Sequence, residues 1–451
     1  MSISRIFEIG KRSLLTYQSA INTTSNNIAN VNKEGYTRRR INLSEMTSSM
    51  GLVGQIGWGV DVDKIVQIKQ LMVENQIYHE NQNLGKYSAD KSLYTQIEAI
   101  YADSTGAGLS DVLTDFWNSW NDLANDPESQ GIRSVVKEKG KLLANTFNRI
   151  HSKFTDMQDQ TASEILVQVE TINQIISQIS KLNEKISVSN SLDLKDERSL
   201  LINQLSKYIN IDVRQNNDKI TISTDGFILV SDGNINLLST EISTENDFRK
   251  INIKINNINH RPDITSGELA SLLETHNKTI PDNLQNLNDL AAGLAKHVND
   301  IHFSGYNLDN VTGVNFFNEN IVSASDFKLN DAIEQNPALI ATRSSLSGEG
   351  DGSIAQAIFD LQFNDIINGQ TASNFYNSMI TDIGNQLKDS SFLYDSQQLI
   401  VQQLENQRES ISGVSLDEEM TKLMQYEQAY QAATKVVSTV DEMVQTLLLM
   451  V

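Results

Sequence analysis

From Ile132 to Ile186 the apolar residues fall at Ile132, Val135, Leu142, Phe147, Ile150, Phe154, Met157, Ile165, Val169, Ile172, Ile176, Ile179 and Ile186, with few breakers between them. That rhythm belongs to one face of a helix. At 1.5 Å per residue, an unbroken helix of about 60 residues is about 90 Å long. Such a length suits a stalk better than a globular enzyme. The chain permits it because only 4 of its 451 residues are proline (Pro127, Pro262, Pro281 and Pro337). An interior proline removes a backbone donor and clashes with the preceding turn.

Both ends of the chain keep a related beat. Phe7, Gly10, Leu14, Tyr17, Ile21, Thr24, Ile28 and Val31 step by three and four. So do Leu423, Tyr426, Tyr430, Ala433, Val437, Val440, Val444, Leu447 and Val451. These are heptad seams, the pattern of coiled-coil-like helices. Several members are small or polar, and most helix stability comes from tertiary packing of one face, so neither helix stands well alone. The economical reading pairs the first helix with the last; the alternative packs each separately on the middle of the chain.

Between the ends the reading is mostly helical. Ile65, Ile68, Met72, Leu84, Tyr87, Tyr94, Ile97 and Tyr101 form a stripe over 64–101, and Leu109, Val112, Leu113, Phe116, Trp120 and Leu123 a second amphipathic helix. Asp126-Pro127 breaks it, with Pro127 suited to open the next helix. Near 209 the period changes: Ile209, Ile211 and Val213 alternate, as do Ile220 and Ile222, then Ile251, Ile253 and Ile255, with Asp225-Gly226 and Asp232-Gly233 as turns. Thr265-Ser266-Gly267-Glu268 fits a capping box. Residues 304–352 are rich in Asn, Ser and Gly, and helices return over about 353–362 and 371–410. The predicted fold is mainly α and elongated. It has paired N- and C-terminal coiled-coil helices, a long helical-bundle stalk and a small antiparallel β element. The predicted partition is 1–42 with 411–451 as terminal domain and 43–208 with 259–313 and 346–410 as stalk. Residues 209–258 are the β element and 314–345 an outer insertion.

Little in the chain specifies chemistry. A net charge of −21 argues against nucleic acid or an anionic membrane surface as the main partner. There are no cysteines, hence no disulfide framework or thiolate site. The start, MSISRIFEIGKRSLL, lacks the apolar core and cleavage site of a secretory signal, and no stretch approaches the roughly 20 apolar residues of a membrane span. Gly51, Gly54, Gly57 and Gly59 lack the context of a phosphate cradle and read as a turn into a short strand at Val60 and Val62. His297 and His302 are off-register for one helix face, while His151 and His276 read as surface residues, so no metal or cofactor site is predicted. Asp417-Glu418-Glu419 lies at a helix start, where acids favour the positive end of the macrodipole. Arg38-Arg39-Arg40 reads either as a solvated turn or as an ion-pairing contact with an acidic neighbouring subunit. No catalytic centre is specified.

Two signatures carry a resemblance. NNIANVNKEGYTRRR (26–40) resembles the N-terminal motif shared by bacterial flagellar rod, hook and hook-associated proteins. SGVSLDEEMTKLMQYEQAYQAATKVVSTVDEMVQTLLLM (412–450) resembles the C-terminal signature of the hook-associated protein 1 family. WNDLANDPESQGIRSVV, DERSLLINQLSKYINIDV, SGELASLL and LENQRESISGVS agree in order along the chain. A hook or rod protein shares the first motif but turns β-rich soon after it, and a flagellin lacks that motif.

The resemblance implies a non-enzymatic structural subunit at the hook–filament junction of the flagellum. It implies secretion through the flagellar type III apparatus without a cleaved signal. The partners would be other copies in a ring, the hook protein, the second hook–filament junction protein, and an export chaperone bound to the C-terminal region. Leu14, Tyr17, Ile21, Ile28, Leu423, Tyr426, Tyr430, Val437, Val440, Val444 and Leu447 would then form the inner subunit interface. Asn30, Gly35, Tyr36 and Arg38 would form the turn out of it, Gly35 stopping the helix in a left-handed conformation. Asn26, Asn27, Asn30 and Asn32 would meet neighbouring subunits. Better-known members insert a sizeable β-rich domain where this chain has only 314–345.

Overall fold

The computed structural model describes residues 3–46, 57–102, 108–216, 219–231, 233–245, 248–255 and 261–450. In chain order its first elements are α1 (Ile3–Ala29), β1 (Arg39–Glu45), β2 (Val60–Gln67), α2 (Leu71–Tyr101), α3 (Leu109–Asn125), α4 (Gln130–Ser189) and α5 (Leu192–Tyr208). Six strands follow: β3 (Asp212–Asn216), β4 (Lys219–Thr224), β5 (Phe227–Ser231), β6 (Asn234–Ile235), β7 (Leu238–Glu245) and β8 (Phe248–Ile255). The chain ends with α6 (Glu268–Glu274), α7 (Ile280–Ser304), α8 (Asp331–Gln335), α9 (Ser353–Asp360), α10 (Ala372–Ser412) and α11 (Leu416–Leu449). The class is mainly α with small antiparallel sheets, and the rhythm over 130–189 is one helix of 60 residues.

Two compact units emerge. The first holds Met1–Gln82, Asn173–Leu237 and Gln397–Val451; the second holds Asn83–Ile172 and Leu238–Ser396. These boundaries replace the predicted ones at 42, 208, 258, 313, 345 and 410. Helices α2, α4 and α10 each supply residues to both units, so no break in composition marks where one core ends.

In the first unit β1 and β2 form an antiparallel hairpin, in register from Arg39↔Gln67 to Glu45↔Val60 with a shift at Asn42/Leu43. Residues 64–67, expected to open a helix, are strand. The β-branched Val60, Val62, Ile65 and Val66 find a strand partner, and tertiary pairing outweighs local period. Gly51 and Gly54 lie outside the described residues, while Gly59 enters β2 with φ +91°. Strands β3-β4-β5-β6 make a four-stranded sheet. Its β4–β5 turn is Asp225-Gly226, both at positive φ as a tight hairpin demands. The other predicted strands, β7 and β8, pair with each other in the second unit, from Leu238↔Ile255 to Glu245↔Phe248. The single β element expected at 209–258 is therefore two sheets. Alternation identifies strands but does not say which core they join.

The second unit is built on aromatic packing. Leu109, Val112, Leu113, Phe116, Trp117, Trp120 and Leu123 of α3 are all buried. Trp120 meets the Phe316 ring at 5.1 Å, Phe316 meets Phe317 at 4.9 Å, and Phe317 meets Phe327 at 4.5 Å. Residues 314–345 are thus core lining rather than an outer insertion. Their isolated phenylalanines carry no period, which is why the segment reads as loop. A Cβ on Gly140 of α4 would stand 2.9 Å from the Phe316 ring, so only glycine admits this approach.

Buried polar groups tie this segment down. Arg133, fully buried, donates to the carbonyls of Ile340 and Pro127 and to Thr342 Oγ1. His302 lies between Val314 O (2.7 Å from Nδ1) and the Ala341 amide, which donates to Nε2 at 2.9 Å. His276, expected on the surface, is buried instead. It sits in a π-helical turn, Thr275–Thr279, just ahead of Pro281. Pro281 has no N–H for the i−4 carbonyl, and the widened turn absorbs that loss. Asn277 in that turn accepts from the Ile251 amide and donates to its carbonyl, acting as a one-residue strand beside β8. α6 starts at Glu268 after Gly267 (φ +84°) with no side-chain cap bond, so the predicted Thr265 capping box does not form.

Burial pushes the His302 imidazole down to about 4, with the Val314 carbonyl opposing and the Arg133 charge reinforcing. The unfolded chain therefore takes up this proton first as pH falls. Stability is full above the ordinary histidine pKa and declines down to about pH 4, by about 3 kcal/mol for a shift of this size. Urea unfolding followed by tryptophan fluorescence at pH 7 and 4.5 should show this decline, and a His302→Gln chain should lose most of it.

Candidate functional site

The seam between the chain ends starts from small residues. Buried on α1 are Gly10, Thr16, Ala20, Thr23, Thr24 and Asn27. A Cβ on Gly10 would lie 2.8 Å from Val437 Cγ2, so α1 and α11 pack together with almost no space at that level. The first and last helices are mates. Larger apolar side chains flank the close approach: Leu14, Tyr17, Ile21 and Ile28 are half-buried, as are Leu423, Tyr426 and Val437. Val440 is buried, while Tyr430, Val444 and Leu447 are exposed. Tyr426 titrates high through burial first, then the nearby Glu419 and Tyr17. Gly10 and Thr24 of the predicted seam are thus among the buried positions, Gly10 being the close approach to α11, while Thr16 donates to Val60 O of β2 and Asn27 bonds Arg39 and Tyr36.

At one end of this seam the two charged runs meet. Glu419 on α11 is only 2% exposed. Its Oε2 accepts from Asn27 Nδ2 at 2.8 Å and its Oε1 from Arg38 Nε at 2.8 Å. Arg38 also donates to Glu418 Oε2 at 2.5 Å, and this bond holds the Glu418 carboxyl below its usual range. The Arg38 backbone is pinned too: its N–H donates to Ser412 O at 2.9 Å and its carbonyl accepts from Ile68 N–H at 2.9 Å. The basic run is thus neither a bare turn nor, at Arg38, a contact held for another chain. Arg38 is the partner of Glu418 and Glu419 in the same chain, while Arg39 pairs with Asp193 and Arg40 donates to Asn42.

Asn27 saturates its amide. Nδ2 donates to Arg39 O (2.9 Å) as well as to Glu419, while Oδ1 accepts from Arg39 N–H (3.0 Å) and from the Tyr36 hydroxyl (2.9 Å). The subunit contact expected of Asn27 is therefore spent within the chain. Asn30 donates back to Asn26 O and Oδ1, and Asn32 is exposed. Gly35 has φ +75°, but α1 already ends at Ala29, so this left-handed residue shapes the turn after the helix rather than stopping it. It delivers Tyr36 under the Arg39 guanidinium, 5.1 Å from the ring centroid. Burial, opposed by Arg39 and aided by Asp196, pushes the Tyr36 hydroxyl up to about 12. Arg39 pairs with Asp193 and lies 3.7 Å from Asp196, which also takes Gln67 Nε2 at 2.8 Å. Burial raises the Asp196 pKa, against hydrogen bonds from Thr37 and the charge of Lys69.

This constellation positions chain segments and carries no nucleophile–base pair. Among the described residues no group of three or more His, Asp or Glu is placed to hold a metal ion. No helix among them is long and apolar enough to cross a membrane.

The comparisons point to one family. Residues 94–317 match the model described as "Flagellar hook-associated protein FlgK helical domain". Residues 10–37 match "Flagella basal body rod protein", and 405–450 match "Flagellar basal body rod FlgEFG protein C-terminal". Flagellar hook-associated protein 1 of Bacillus subtilis is 27% identical, over 97% of this chain and 96% of that protein. The chain belongs to the flagellar hook-associated protein 1 family. The Salmonella typhimurium member is 25% identical over 96% of this chain and 97% of its own length. A solved flagellar hook junction protein FlgK from Burkholderia pseudomallei shares the fold, with TM-score 0.66 and 15% identity over 75% of this chain and all of that one. Hook-associated protein 1 chains are structural rather than enzymatic, and this member is a structural component of the flagellar axis. The terminal matches to rod-protein models cover the two segments that the Asn27–Arg38–Glu419 cluster ties together.

Removing Glu419 takes one acceptor from Asn27 Nδ2 and leaves Arg38 paired with the exposed Glu418 alone, and a buried donor left unsatisfied costs about 1–3 kcal/mol. Glu419→Ala should therefore loosen both termini together. Hydrogen exchange should rise in parallel across α1 and the first half of α11, while α3 and its aromatic core keep wild-type protection.

Proposed function

We propose that this chain is the subunit that joins hook to filament, polymerising into a ring through its terminal helices. The observation that carries the reading is the poverty of burial on α11. Of its 34 residues only Glu419, Ala433 and Val440 are buried. Leu416, Met420, Met424, Val436, Met443 and Leu447 are exposed, as are Phe7 and Leu15 on α1. A two-helix layer cannot cover both faces of each helix, and an apolar surface of this extent marks a place for neighbours. Tyr430, Val444 and Leu447 then belong to contacts between copies, while Leu14, Tyr17, Ile21, Ile28, Leu423, Tyr426, Val437 and Val440 hold the pair itself. Its axial neighbours are the hook protein on one side and the second hook–filament junction protein on the other. It leaves the cell through the flagellar type III apparatus without a cleaved signal, with a chaperone covering the apolar α11 beforehand.

Deleting the gene should leave hooks without filaments and release flagellin into the medium. Wild-type protein should restore filaments, and a Val444→Asp, Leu447→Asp chain should not, although it folds. Normal filaments on the deletion strain would end this reading.

The free monomer supplies a second check. With one face of each terminal helix uncovered, limited proteolysis of dilute protein should trim roughly the first and last 40 residues and spare the aromatic core. Termini that resist protease in dilute monomer would contradict a role for neighbours in ordering them.

A further inference from the structure

The first unit holds a groove of about 1290 Å³ among α1, β2, α2, α5 and β3. Its lining is basic, against the balance of the whole chain. Arg39, Lys64, Lys69, Lys195, Arg198 and Arg214 face one lining carboxylate, Glu74. Some of this charge is answered locally, since Asp193 and Asp196 pair with Arg39 and Asp196 lies 3.6 Å from Lys69. Lys64 and Arg214 are exposed and have no carboxylate partner among the described residues. They sit on β2 and β3, which are edge strands: β2 pairs only with β1, and β3 ends the sheet β3-β4-β5-β6. Ile65, Val66, Leu71 and Leu192 add apolar wall between the cations.

We propose that this groove seats an acidic segment of a second copy of this chain. The inference rests on the ring-forming role above and adds an electrostatic contact to its apolar one. Charge complementarity selects the occupant. The chain carries 57 Asp and Glu against 36 Lys and Arg, so each copy presents carboxylates while concentrating cations here. The volume far exceeds a phosphate ion, and the apolar wall suits side chains rather than a bare anion. Edge strands offer backbone donors and acceptors to an extended peptide. In a ring, neighbouring copies are held at high effective concentration, so a contact weak in solution suffices to fix register.

The test uses the full chain and its K64E/R214E variant, whose altered side chains are exposed and leave the core untouched. Self-association is measured by sedimentation velocity at 50 and 300 mM NaCl. Wild type should associate about ten-fold more weakly at the higher salt, because exposed charge pairs are screened. The variant at 50 mM should fall to the high-salt wild-type level and lose most of the salt dependence. Salt-independent association, wild-type behaviour of the variant, or a chain that stays monomeric at millimolar concentration would each overturn the proposal. So would inorganic phosphate that blocks association where chloride of equal ionic strength does not, which would mark a small-anion site. If V444D/L447D abolishes association and K64E/R214E does not, the groove fails and the joining role stands. If filaments form without the gene, the joining role itself fails.

Discussion

A buried carboxylate fixes the geometry of the chain ends. Glu419 is almost sealed from water, a position that a carboxyl group tolerates only where donors are held ready for it. Those donors come from separate segments, Asn27 near the end of α1 and Arg38 at the entry to β1. Because the Arg38 backbone is itself bonded to Ser412 and Ile68, satisfying one carboxylate sets four segments at once. The last turn of α1, the exit to the β1–β2 hairpin, the α10–α11 junction and the start of α11 share that single constraint. A conservative change to Lys at position 38 would keep the charge and lose the fork that reaches both Glu418 and Glu419.

The two units solve the problem of burial by different chemistry. The second relies on large rings, with Trp120, Phe316, Phe317 and Phe327 in one continuous contact chain, and its irregular segment is anchored by buried Arg133 and His302. The terminal pair in the first unit relies on Gly, Thr, Ala and Asn, which allow close backbone approach but remove little apolar area from water. Area removed from water is the dominant favourable term, at about 25 cal/mol per Å². A seam of small residues is therefore specific in register and weak in stability, which fits a surface completed by other molecules.

Helix periodicity makes α3, α4 and the two terminal helices legible in the sequence itself. The left-handed conformation of Gly35 is legible because glycine adopts it readily, but the end of α1 at Ala29 carries no glycine to mark it. Arg38 and Glu419 stood out separately, but their pairing spans 381 positions and leaves no mark in local spacing. Asn27 reads as a contact with neighbouring subunits, and its burial within the chain follows from partners supplied by distant segments. Phe316 and Phe317 were hidden for the opposite reason: an irregular backbone can bury aromatic rings without repeating them. The basic groove was invisible too, since Lys64, Lys195 and Arg214 come from three distant segments.

The bond between Asn27 and Glu419 also sets an order in time, because it spans 392 positions. A ribosome makes α1 before α11, so α1 has no mate until α11 has been made. Closing an unstructured loop of that length would cost about 5 kcal/mol of chain entropy. Folding of the intervening segments beforehand shrinks that loop to a short gap. Nascent chains cut off ahead of Glu419 therefore carry an α1 that has nothing to close against.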